Sequence, residues 1–145
     1  MSGKSRSAFE RLLQATQVDR KMRQRAHEVT KTEGNVTVSE WLLLSIISRG
    51  PRKGLTMSAL SNTLLVTRPQ ISALIDGLLA KRLVRQKKGE EDKRSYTAHI
   101  TERGKDTLNR VNKAIESSFH DVSGAIPDTH LQIYEQVQEE LIRKS

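Results

Sequence analysis

Apolar residues recur along this chain at helical spacing, then at strand spacing, then at helical spacing again. From about Ser7 to Glu33 the positions Phe9, Leu12, Leu13, Thr16, Met22, Ala26 and Val29 fall three or four apart among charged neighbours, which predicts a long amphipathic helix. Gly34 and Asn35 supply its stop. A second helix opens at Thr37, whose hydroxyl can cap the first turn while Glu40, three residues on, completes a capping box, and Trp41 to Ile47 form its buried body. Gly50, Pro51 and Gly54 then punctuate a basic turn that holds Arg52 and Lys53.

Two helices follow in close succession. Thr56 caps a short one from about Met57 to Leu64, and Thr67 caps the next, from Arg68 to about Lys81, with Gln70 as its capping-box partner. Pro69 is tolerated because the first helical turn has no intrahelical use for its amide. Ile71, Leu74, Ile75 and Leu78 make the buried stripe, which leaves Arg68, Gln70, Ser72, Ala73 and Asp76 to the other faces.

The period then changes. Leu83 to Lys87 and Tyr96 to Ile100 read as two strands joined by a charged segment, Lys88 to Ser95, which predicts a two-stranded ribbon with a long tip. Thr101 caps a further helix whose stripe is Leu108, Val111, Ile115 and Phe119 or Val122, broken by Gly124 and Pro127. Asp128 opens a last helix carrying Leu131, Tyr134, Val137 and Leu141. The fold class is therefore mainly α with a small β-hairpin (α+β), and 145 residues suit a single domain over residues 1–145.

Two short helices joined by a tight turn, with a charged hairpin directly after, have the form of a winged helix-turn-helix, here residues 37–101. Charge agrees with that form. Lysine and arginine number 25 against 17 acidic residues, a net +8, so the expected partner is a polyanion, nucleic acid first. At 3% aromatic the chain lacks the rings on which single strands stack, so double-stranded DNA is the better expectation.

Other chemistry finds little support. Without cysteine there is no disulfide, thiolate metal site or thiol redox sensor, which fits a reducing cytoplasm. His27, His99, His120 and His130 have no ligand spacing, so no metal and no cofactor is expected. No phosphate loop, zinc-protease motif or nucleophile elbow is present, and Asp92 or Glu91 with Lys93 would alternate across a hairpin, so the chain does not read as an enzyme. No run reaches the ~18 apolar residues of a membrane span and the start lacks a secretory apolar run, so a soluble, cytoplasmic protein without membrane contact is expected.

The candidate reading residues are Thr67, Arg68, Gln70 and Ser72, at the helix end where side chains reach base edges and amides favour phosphate. Arg68 to guanine and Gln70 to adenine are the natural pairings. Lys87, Lys88 and Lys93 suit phosphate contact from the hairpin, and Thr56 and Ser58 suit it from the preceding helix.

These segments carry a family likeness. VTRPQISALIDGLLAKRLV followed by DKRSYTAHITERG resembles the recognition helix, wing and following helix start of the MarR family. The wing of that family carries an Asp, any residue and Arg, closing on an aliphatic residue and Thr, and Asp92, Arg94, Ile100 and Thr101 occupy those positions. The resemblance covers roughly residues 38–104. It implies a homodimeric regulator with recognition helices in successive major grooves, wing tips in the minor groove, and the helical regions 7–33 and 102–145 forming the dimer interface. A dimer holds two recognition helices about one DNA turn apart, so an imperfect palindrome is the expected operator and repression the expected action; the resemblance also implies a pocket between the helical interface and the winged core, often for phenolic or other aromatic acids.

Within that frame Arg94 is the minor-groove residue, since a narrow groove attracts an extended cation, and Asp92 would orient it by a charge-assisted hydrogen bond. The chain departs from the family's pattern in three places: Ala73 stands where a polar or basic residue is common, Arg82 replaces the usual Gly before the first wing strand, and Glu90 with Glu91 put negative charge at the tip. A left-handed Arg82 would carry about 1 kcal/mol of strain or more. Arg20, Lys21, Arg23 and Arg25 would suit a carboxylate ligand. The readings that compete are a winged helix that docks an acidic protein partner and a nonspecific DNA-binding protein.

Overall fold

Hydroxyl caps set the helix starts in the computed structural model, which describes residues 6–89, 94–125 and 127–144. Ser7 opens α1 (Ala8–Gly34) in a complete capping box with Glu10, a start signal that the apolar pattern alone does not reveal. Asn35 closes α1 in the left-handed region at φ 50. Thr37 caps α2 (Val38–Arg49) by accepting from the Glu40 amide at 3.1 Å.

The expected return bond from Glu40 is not made. Its buried carboxylate turns away and accepts from Lys81 Nζ at 2.6 Å, 41 residues along the chain, because a cation at hand satisfies a buried carboxylate better than one amide does.

Thr56 caps α3 (Met57–Leu64), and Thr67 caps α4 (Arg68–Ala80) in a full box with Gln70. The ribbon consists of β2 (Val84–Lys88) and β3 (Tyr96–Ile100), antiparallel and in register from Val84 opposite Ile100 to Lys88 opposite Tyr96. It is not two-stranded. Leu55–Thr56 forms β1 on the other edge of β3, giving the order β1-β3-β2. Two residues are too short to show a period, which is why the pattern left them in a turn. Thr101 caps α5 (Glu102–Gly124) through the Gly104 amide at 3.0 Å, and α6 (Asp128–Lys144) ends the chain's described part.

The core lies where α2, α3 and α4 meet the sheet, and Leu43, Leu44, Leu60, Ile71, Ile75 and Leu78 are wholly or almost wholly buried there. The terminal helices sit to one side. The C-terminal half of α1 packs on α5, with Ala26 and Thr30 buried, Arg25 stacked 5.3 Å over the Phe119 ring, and Arg110 Nε donating to the Glu33 carbonyl at 2.7 Å. Trp41 Nε1 ties α2 to α5 by donating to Asn112 Oδ1 at 2.8 Å.

Elsewhere these helices leave large apolar side chains in water. Phe9 and Leu12 of α1 are 72% and 67% exposed, and on α6 Ile133, Tyr134, Val137, Leu141 and Ile142 are all more than half exposed. Among the described residues no helix is long and apolar enough to cross a membrane.

Candidate nucleic-acid interface

The α4 helix buries Ile71, Ile75 and Leu78 against the core, and the 3.6-residue period then turns Arg68, Ser72, Ala73 and Asp76 outward, all exposed. Thr67 and Gln70 are exposed at its first turn. This places every sequence-predicted reading residue on one solvent-facing end of the helix. Ala73 leaves a gap on that face where a longer side chain would project.

Two of the predicted contacts meet each other. Arg68 Nη1 donates to Ser58 Oγ at 3.1 Å, so the start of α4 is tied to the first turn of α3, where the exposed Thr56 also lies. A guanidinium has five donors, and this bond uses one.

Gln70 is more constrained than the sequence suggests. Its Oε1 accepts from the Thr67 amide at 2.8 Å and the Thr67 hydroxyl at 3.0 Å, which fills both lone pairs of that oxygen. A bidentate pairing with adenine needs the same oxygen, so it requires the cap to open.

The wing is anchored at its root. The α4 helix closes in a Schellman arrangement, with Leu83 N–H donating to the Leu78 carbonyl at 3.0 Å and Arg82 N–H to the Leu79 carbonyl at 2.9 Å. Arg82 holds the left-handed position of that motif at φ 59, where it carries the strain of a side chain in that region. The Leu83 carbonyl then accepts from the Thr101 amide at 3.0 Å, and an ideal Cβ on Gly104 would stand 2.1 Å from the same oxygen. Only glycine lets α5 approach this closely.

From the root, β2 carries the exposed Lys87 and Lys88 outward, and the Gly89 amide donates to the Ser95 carbonyl at 2.8 Å where the ribbon ends. Arg94 is exposed just beyond. Asp92 and Lys93, like Glu90 and Glu91, lie outside the described residues, so the expected pairing of Asp92 with Arg94 is not described either.

Sequence reasoning missed the flank of the wing. Arg52 and Lys53 of the turn, with Thr97 and His99 of β3, join Lys87 and Lys88 around a cleft of about 590 Å³. Burial, then the charges of Lys87 and Arg85, hold the His99 imidazole below its usual pKa. Alternation on β3 could have placed Thr97 and His99 on one side, but the turn that faces them is invisible to a periodic reading.

A second cavity, about 740 Å³, lies among α1, α2, α5 and α6, lined by Val18, Met22, Trp41, Leu42, Phe119 and Tyr134. Of the four α1 cations considered for a carboxylate, Arg23 reaches it, in an ion pair with Asp19 at 3.0 Å, while Arg25 is engaged with Phe119 and Ser118.

One family model and three known proteins resemble this chain. Residues 35–95 match the model of the MarR family. A Thauera aromatica protein assigned as a transcriptional regulatory protein for the hcr operon is 33% identical over 106 residues, 73% of this chain; the chain spans 62% of that curated relative. The fold superposes on Sco3205, a MarR family transcriptional regulator from Streptomyces coelicolor solved in complex with DNA, with a TM-score of 0.83 and 17% identity, covering 97% of this chain and 93% of that one. The S. aureus MepR–DNA complex gives a TM-score of 0.80 at 15% identity, covering 97% and 100%.

Proposed function

We propose that this chain, a member of the MarR family, is a homodimeric, sequence-specific double-stranded DNA-binding transcription regulator. The observation that carries the proposal is the joint exposure of the α4 N-terminus and the basic wing on a fold shared with regulators solved on DNA. A net charge of +8 supplies the sequence-independent attraction.

Each part has a role in this reading. Arg68, Ser72 and the amide of Gln70 meet base edges, with Thr67 at the helix cap and Ala73 against an apolar base surface such as a thymine methyl. Thr56, Ser58, Lys87, Lys88 and Lys93 hold phosphates, while Arg94, oriented by Asp92, enters the minor groove. The exposed apolar faces of α1 and α6 bury each other across a two-fold axis, and the two recognition helices then fall about one DNA turn apart, on an imperfect palindrome. The regulator acts as a cytoplasmic repressor, without catalytic activity, and the 740 Å³ apolar cavity takes a small aromatic or phenolic acid as effector.

Selection of bound duplexes from a random library at physiological salt tests the reading. The expected result is enrichment of a palindrome whose binding weakens by about 1–3 kcal/mol per protomer contact in Arg68→Ala and Arg94→Ala. Uniform, salt-suppressed binding without a motif refutes sequence specificity and leaves a nonspecific binder or a protein-docking module.

A further inference from the structure

The flank of the wing root is built as an anion seat. Side-chain alternation puts Thr56 of β1, Arg85 and Lys87 of β2, and Thr97 and His99 of β3 on one side of the sheet, opposite the side that buries Val84 and Ala98. The turn before β1 closes over that side. An ideal Cβ on Gly54 would lie 2.6 Å from His99 Nε2, and Gly54 sits at φ 82, so a glycine with left-handed backbone is what lets the turn rest on the imidazole. Thr97 Oγ1 and His99 Nε2 share a hydrogen bond of 2.9 Å in the cleft wall.

The described lining contains Arg52, Lys53, Lys87 and Lys88 and no carboxylate. Arg52, Lys53 and Lys87, gathered on this side without an acid, repel one another until an anion enters. The cleft is also continuous with the reading surface: it begins at Thr56, the α3 cap, two residues from the Ser58 that meets Arg68, and it ends at Gly89, where the ribbon gives way to the tip. A strand of duplex backbone running from the recognition helix to the wing tip would pass along it.

We propose that this cleft seats a phosphodiester of the bound duplex, and that His99 takes up a proton as it does so. The proposal rests on the regulator reading only as far as duplex binding. Without DNA, the charged groups around the imidazole are Arg85 and Lys87 from β2, with Arg52 and Lys53 lining the same cleft from the turn, all cationic; burial first, then Lys87 and Arg85, hold its pKa below the ordinary value and keep it neutral near pH 7. A phosphate beside the ring favours the imidazolium instead. The bound state then has the higher pKa, so affinity rises as pH falls through the bound-state value and levels off below the free-state value, tenfold for each unit between them.

Anisotropy titrations of a random-sequence duplex from about pH 5.5 to 8, at several salt concentrations, test this. Wild-type binding should tighten about tenfold on acidification. His99→Gln should remove one proton's worth of that dependence per protomer. The Arg52→Gln/Lys53→Gln variant should bind less tightly, with a salt slope smaller by about one per protomer.

A wild-type pH dependence in His99→Gln, or a wild-type salt slope in the double variant, overturns the proposal. So does saturable movement of the His99 ring resonances with inorganic phosphate at constant ionic strength while the variants keep wild-type duplex affinity, which would mark a site for a small oxyanion. Because the seat contacts phosphate and not bases, a random duplex tests it even where library selection enriches nothing.

Discussion

Replacing Gly104 by alanine inserts one carbon where α5 meets the wing root. That Cβ would lie 2.1 Å from the Leu83 carbonyl oxygen and 2.7 Å from Ile100 Cγ1. Carbon and oxygen settle at about 3.3 Å or more, so over an ångström of separation must be found. The oxygen cannot yield freely, since it belongs to backbone that the Thr101 amide holds at 3.0 Å.

Overpacking of this kind costs about 1–3 kcal/mol. The loss of the Thr101 bond, about 1 kcal/mol, is offset by the about 1 kcal/mol that alanine gains over glycine within a helix. A net destabilisation of about 1–3 kcal/mol is therefore expected, read by urea unfolding at fixed protein concentration as a lower midpoint with unchanged slope. Gly124→Ala is the matched control: nothing lies within 4 Å of its ideal Cβ, so the same change should leave stability unchanged or raise it by up to about 1 kcal/mol. If Gly104→Ala unfolds at the wild-type midpoint, the steric account of the wing root is wrong.

Two further substitutions probe the C-terminal end of α4. Arg82→Gly should stabilise the fold by about 1 kcal/mol in the same assay, because the φ of 59 is strained for arginine and relaxed for glycine; a loss of stability would show that the arginine side chain matters more than the backbone. Lys81→Met leaves the Glu40 carboxylate, only 10% exposed, without its cation, and should cost about 1–3 kcal/mol. Combined with Glu40→Gln in a double-mutant cycle, it should cost less than the sum of the single changes, and strict additivity would mean that the pair is not coupled.

Legibility from sequence followed the range of the forces involved. The α3 and α4 bounds were readable because Thr56 and Thr67 act on amides three residues away, and the hydrophobic stripe of α4 was readable because its period is local. Glu40 misled the same logic, since its position fits a capping box while its partner, Lys81, is brought in by tertiary packing. β1 escaped because its pairing with β3 spans over forty residues and its two positions have no period of their own. The exposure of the candidate reading residues at the start of α4 was legible from residue type and position. The cleft around His99 was not, because three segments contribute to it and none is distinctive alone.

On the proposed duplex, the occupied oxygen of Gln70 bears on how much information an operator would carry. A glutamine with both ends available names adenine; one whose oxygen serves Thr67 offers only N–H groups. On the proposed duplex those donors suit N7 of either purine, O6 of guanine or O4 of thymine, so a base pair beneath Gln70 would be read less sharply than by an open amide. A regulator that read DNA this way would tolerate drift at that operator position, and its set of binding sites could widen without any change in the protein.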